Sequence, residues 1–192
     1  MKNFLFAIVL ISFFFSGCGP IIGQMMATGE GLTSFEVVSG EAPQVKAGAS
    51  ILVFGPFAKT DAAFYICRGE DAAKFSDEFI LHGLRSDLYL AHGSAGRVTL
   101  AQAKKMNAEE LRTALGLTSV PDFLLSGTLT LRKMNVAPTH GVIMEEAFEL
   151  DLLDLQTQKT SHYRAAVKDL AQETIPDIAE VLVQKLGLPA KK

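Results

Sequence analysis

Tryptophan is missing from this 192-residue sequence, and cysteine appears only twice, as Cys18 and Cys67. Two cysteines cannot form the several bridges that staple small secreted domains, so a hydrophobic core has to carry the fold. Aromatic residues make up only 8 %, and 13 of them are phenylalanine. Basic runs are also absent. Lys+Arg 18 against Asp+Glu 21 gives a net charge of −3, with no positive block to neutralise a row of phosphates, which argues against nucleic-acid binding. The four histidines, His82, His92, His140 and His162, show no metal-ligand spacing and no H-E-x-x-H pattern, so neither a metal nor a cofactor is expected. Nor is there a long apolar run: the uncharged stretch Phe4–Phe15 has 12 residues, short of the about 20 that a bilayer-spanning helix needs.

What is present at the N-terminus has a different logic. Met1-Lys2-Asn3 is a short positive segment, Phe4–Phe15 an apolar core, and Ser16-Gly17 two small residues before Cys18. That is the build of a secretory signal peptide. The Phe15-Ser16-Gly17-Cys18 junction resembles the lipobox of bacterial lipoproteins, with Phe15 in place of the usual leucine. The resemblance implies a diacylglycerol on the Cys18 thiol and cleavage before Cys18. It implies a palmitate-type acyl chain on the new amine, giving an anchor of several buried chains, which is stable where one chain is marginal. Gly19 rather than aspartate follows the cysteine, which resembles the default for outer-membrane delivery. The mature chain loses Lys2 and carries 17 basic and 21 acidic residues, 17 − 21 = −4.

Three segments are expected: a signal peptide over 1–17, a lipidated N-terminus and tether over 18–45, and one domain over 46–190. The tether stretch is rich in Gly, Ser and Thr, and within it only Ser34–Val38 reads as a short edge strand. Treated as a coil, about 26 residues span roughly 28 Å. In the domain, Ile51–Phe54 is an apolar run stopped by Gly55-Pro56, a buried strand. Gly69 to about Leu90 carries Phe75, Phe79, Ile80 and Leu84 at helical spacing with acids in its first turn, which predicts one long helix. Leu100–Leu115 predicts one or two more helices, with Asn107 and Glu110 as a capping box. Asp122–Leu131 reads as a strand. Phe148–Leu153 alternates apolar and acidic residues as a half-buried strand does, Asp154–Lys159 as a hairpin turn, and Thr160–Val167 as the returning strand. A helix over about Ala171–Leu186 closes the chain. The expected class is α+β, a mostly antiparallel sheet with helices packed on it, in the order β-α-α-β-β-β-α.

Two stretches carry a further resemblance. Val120–Leu129 (VPDFLLSGTL) and Phe148–Lys159 (FELDLLDLQTQK) resemble the strand and hairpin motifs of the family that includes the curli-secretion lipoprotein. Ile51–Phe57 fits that family's opening strand. Related folds occur in the penicillin-binding-protein activator lipoprotein, the N-terminal domain of the Tol translocation protein, and the ring-forming lipoprotein of Pel exopolysaccharide export. The resemblance covers roughly Ser50–Gly187 and implies a Tol N-terminal-domain-like fold. Gln158 stands where the family has glycine, and the tryptophan that often follows is absent; His162 or Tyr163 falls near its place. Only Lys133–Ala147 separates two strands, so no pore-forming hairpin of the curli channel is expected.

Candidate chemistry is thin. Cys67 lies in an apolar run with Arg68 beside it and reads as a buried structural thiol rather than a nucleophile. Asp151 and Asp154 sit three apart on a strand and face opposite ways, so they form no carboxylate pair. Glu145-Glu146 reads as a solvated strand edge, Lys104-Lys105 and Lys191-Lys192 as solvated charges, and Gly29-Glu30-Gly31 as tether rather than a phosphate loop. No catalytic residue is expected, and the one modification site is Cys18. The function that follows is that of a non-enzymatic lipoprotein on the periplasmic face of the outer membrane. It would serve as an accessory of a cell-envelope or secretion machine, exopolysaccharide export included, that self-associates through exposed strand edges. The alternative is a monomeric activator or adaptor of a peptidoglycan synthase.

Overall fold

The computed structural model describes residues 30–63, 69–91, 98–137 and 141–188. Cys18, Cys67, His92, His140 and the signal peptide lie outside them. In chain order the elements are β1 (Gly31–Ser39), β2 (Ser50–Gly55), β3 (Ala58–Lys59), α1 (Glu70–Leu81), β4 (Arg85–Leu90), α2 (Leu100–Ala103), α3 (Ala108–Leu115), β5 (Phe123–Ala137), β6 (Gly141–Asp154), β7 (Thr160–Leu170) and α4 (Thr174–Lys185). The class is α+β, as expected, but the sheet is mixed. Its strands run β1-β7-β6-β5-β2-β4, with β3 paired to β5. β5, β6, β7 and β1 are antiparallel neighbours, whereas β2 runs parallel to both β4 and β5.

β2 is buried along its whole length, which its unbroken apolar run requires of a strand covered on both faces. On one face, Ile51, Val53, Phe123, Leu125, Phe148, Leu150, Leu152 and Tyr163 pack against Phe75 and Phe79 of α1 and Ile178, Leu182 and Val183 of α4. The Phe75 and Phe148 rings meet edge to face, 5.9 Å apart, a favoured aromatic geometry. Among the described residues the other face is covered only near β2, where Leu52, Phe54, Leu124 and Leu153 meet Leu111 of α3 and Ala103 of α2.

Two expectations are corrected by this arrangement. The predicted helix to Leu90 stops at Leu81, because Gly83 takes a left-handed φ of 81° and ends it. The chain then turns into β4, whose Ser86 hydroxyl meets that of Ser76 on α1 at 2.7 Å. The predicted tether contains β1, paired from Gly31 opposite Lys168 to Ser39 opposite His162, so the short edge strand expected over Ser34–Val38 is longer and joins the sheet. β5 and β6 also run further than predicted, pairing from Phe123 opposite Asp154 to Ala137 opposite Gly141. Both α2 and α3 are capped as boxes: Asn107 Oδ1 accepts from Glu110 N–H at 3.0 Å and Glu110 Oε2 from Asn107 N–H at 2.9 Å.

Candidate functional site

The family-like motifs have structural work that the geometry makes plain. Asp122 accepts the Ser50 N–H at 2.8 Å, tying the first residue of β2 to the start of β5. Gly127 leaves room for a ring: a Cβ there would sit 2.8 Å from Phe57. In the β6–β7 turn, Asp154 Oδ1 accepts the N–H groups of Gln156 and Thr157 at 2.8 and 3.0 Å. Gln158 adopts φ 57°, a left-handed conformation that a glycine would take without strain. Its side chain donates to the Leu155 carbonyl at 3.0 Å.

Glu146 is not the solvated edge residue that its sequence suggested. It stands in register with Arg132 across the β5–β6 hairpin, on the face covered by α1 and α4, and both are 1 % exposed. Arg132 Nε donates to Glu146 Oε1 at 2.5 Å, and Arg132 Nη2 to Asp71 Oδ1 at 2.7 Å. Burial pushes the Glu146 carboxyl above the ordinary range, with Arg132 and Thr174 opposing the rise. Among the described residues Glu146 Oε2 has no hydrogen-bond partner. A buried ion pair of this kind ties α1 to the sheet, but its net contribution is set against the desolvation of the charges.

A second ionic group lies on the other face. Lys104, read as solvated, donates to Asp151 Oδ2 at 2.8 Å, and His162 Nδ1 meets Asp151 Oδ1 at 2.6 Å. Burial opposes ionisation of Asp151, but the hydrogen bonds from Lys104 and His162 outweigh it and hold the carboxyl below its ordinary value. The same face continues outward as a cross-strand ladder, with Arg164 of β7 beside Glu149 of β6 at 3.3 Å and Glu36 of β1 at 3.8 Å. All these charges are half-buried or exposed, and no helix of the described residues covers them. Asp151 and Asp154 do face separate tasks, the first in this ladder and the second in the turn.

The two sheet edges also expose apolar side chains. β1 carries exposed Val37 and Val38, and β4 carries exposed Leu88. β1 is interrupted by register shifts at Leu32/Ser34 and Val37/Ser39, the kind of bulge that limits indiscriminate edge pairing. Among the described residues no group of three His, Cys, Asp or Glu side chains is placed to hold a metal ion. No described helix is long and apolar enough to cross a membrane.

No protein-family model matches the chain, and no curated protein matches it in sequence. Among solved structures the match is one of shape. The chain is similar in fold to PelC. The PelC dodecamer from Paraburkholderia phytofirmans aligns with a TM-score of 0.50 at 10 % identity, over 79 % of this chain and 97 % of that one. A point variant of PelC, also a dodecamer, aligns with a TM-score of 0.49 at 13 % identity, over 84 % of this chain and all of that one. At such identity the likeness to PelC establishes the fold, and function has to be argued separately.

Proposed function

We propose that this chain is a non-enzymatic lipoprotein, anchored through Cys18 on the periplasmic face of the outer membrane. It acts as an accessory of a cell-envelope secretion machine, exopolysaccharide export being the favoured case, and works as a self-associated ring. The observation that carries the reading is the fold shared with the PelC dodecamer over nearly all of that chain. The lipobox-like junction supplies the anchor, and the absence of a catalytic constellation in the sequence leaves recognition as the task. Physically, a ring needs two different surfaces that meet head to tail, because heterologous contacts close when the rotation allows it. β1 and β4 at opposite ends of one sheet, and the charged face between them, offer such surfaces.

The position of β1 weighs against the synthase-activator alternative. Once Gly31 is in the sheet, only 11 residues lie between Cys18 and Glu30, and the 12 steps from one to the other reach at most about 43 Å when fully extended. A partner near the membrane suits that reach better than one deep in the cell wall. The test is a Cys18→Ala variant followed in cells by fractionation and in-cell crosslinking. The wild type should pellet with membranes and give a crosslinked ladder of several copies. The variant should leave the membrane fraction. Membrane association of the unmodified variant would overturn the anchor, and a single crosslinked band of one copy would overturn the ring.

A further inference from the structure

We propose that the end of the sheet where β2 and β5 begin holds a binding site for a neutral saccharide unit. The site lies on a single chain, so it stands whether the chain is a ring subunit or a monomer, lipidated or not. A cavity of about 410 Å³ opens there, within the size range of small-molecule clefts. Three segments wall it: the stretch leading into β2, the start of β5 and the β6–β7 turn. These walls are held before any ligand arrives. Val45 is buried in the core and donates its N–H to the Leu186 carbonyl at 2.9 Å, which fixes the leading stretch. Asp122 and Ser50 bond in both directions: the Asp122 N–H donates to the Ser50 carbonyl, and Asp122 Oδ2 accepts the Ser50 N–H, each at 2.8 Å. The Leu155 N–H donates to the Asp122 carbonyl at 3.0 Å and fastens the turn to β5. A preformed cleft avoids much of the ordering cost that weakens ligand binding.

The chemistry of the lining selects the ligand. Asp122 holds Ser50 through Oδ2 and Asp154 holds the turn through Oδ1. The second oxygen of each carboxylate has no partner among the described residues, and neither have the Lys46 ammonium and the side-chain amides of Gln44 and Gln156. Singly, each would be an ordinary solvated group. Together they bring acceptors from two carboxylates, donors from a lysine, and both from two amides to one cavity. A hydroxyl also donates and accepts, so a ring of hydroxyls can engage them all. Phe123, only 7 % exposed, lies with Pro43 and Ala49 in the same lining and supplies an apolar patch for the C–H face of a sugar ring. Other ligand classes fit less well. An anion meets two carboxylates against one lysine, a cation meets Lys46, and an apolar ligand strands polar groups away from water. Lys46, Asp122 and Gln156 are exposed, so the mouth is open and the bound unit can belong to a longer glycan.

The test is a titration of the mature chain, purified in a detergent without a sugar headgroup, followed by calorimetry and saturation-transfer NMR. The probes are two neutral oligomers, cellotetraose and N-acetylated chitotetraose, with an oligogalacturonate as the anionic comparison and an oligoglucosamine as the cationic one. The proposal expects millimolar or tighter binding of a neutral oligomer. A chain carrying both Lys46→Ala and Gln156→Ala should bind it about tenfold more weakly, the worth of one or two hydrogen bonds, with its thermal unfolding unchanged. Lys104→Ala, outside the cavity, should bind as the wild type does. Preference for cellotetraose supports the site with an exported glycan as its source, and preference for the N-acetylated oligomer supports it with cell-wall glycan as its source. Binding that the double variant leaves unchanged overturns the site. Tighter binding of either charged oligomer overturns the neutral class. Binding of neither neutral oligomer overturns the proposal as a whole.

Discussion

The two faces of the β5–β6–β7 sheet each carry an acid held by a base, and they solve the problem differently. Under α1 and α4, Glu146 is shut away with Arg132 and Asp71. On the uncovered face, Asp151 shares Lys104 and His162 in contact with water. The buried acid is driven towards its neutral form by desolvation; the wet one is driven towards its charged form by its partners. Charge in the core thus fixes how α1 sits on the sheet, while charge on the open face remains available for a neighbour.

Breaking the buried group should cost most. Arg132→Met leaves Glu146 and Asp71 without their base and is expected to lower stability by about 3–5 kcal/mol at neutral pH, because an unpaired buried charge is severe. The loss should shrink as pH falls and Glu146 takes a proton; denaturant unfolding at several pH values measures both. Next comes Glu146→Gln, which keeps the shape and mimics the neutral form that burial favours, so it is expected to cost less than the loss of Arg132.

The pH signs of the two acids are opposite. The native value of Glu146 lies above its ordinary 4.5, so the folded state binds that proton more tightly than the unfolded chain. Its contribution to stability is then greatest at low pH and falls as pH rises from about 4.5 through the raised value. The native value of Asp151 lies below its ordinary 3.8, so its contribution is present above that value and is lost as pH falls through the lowered one. The stability of wild type relative to Glu146→Gln should therefore fall with rising pH, and its stability relative to Asp151→Asn should fall with falling pH. Parallel curves for both variants would refute the contrast.

Smaller effects sharpen it. Gln158→Gly should stabilise by up to about 1 kcal/mol, since it relieves a left-handed residue worth roughly 1–2 kcal/mol while loosening the unfolded chain. Lys104→Ala, at a half-exposed pair, should change stability by less than about 1 kcal/mol in thermal or denaturant unfolding.

Much of this fold is legible in the amino-acid sequence. The apolar run of β2, the alternation of Phe148–Leu153, the Asn107–Glu110 cap and the Asp154–Lys159 turn each declare themselves through a local rule. Most of β1 does not, because GLTSFEVVS is an exposed edge and becomes a full strand through its pairing with β7. β4 is masked by helical spacing, since Ile80 and Leu84 continue the stripe of α1 and only Gly83 breaks it. The Arg132–Glu146–Asp71 group is invisible for a deeper reason. Its members are 14 and 61 residues apart along the chain, and a glutamate beside another glutamate gives no sign that it faces inward until the hairpin register is known.

The most direct test of the account is the native mass of the mature protein extracted from membranes in detergent. The account predicts a lipid adduct on Cys18 within a closed oligomer of one mass. A lipidated monomer at all concentrations would contradict the ring, and an unmodified chain would contradict the anchor on which the membrane arrangement depends.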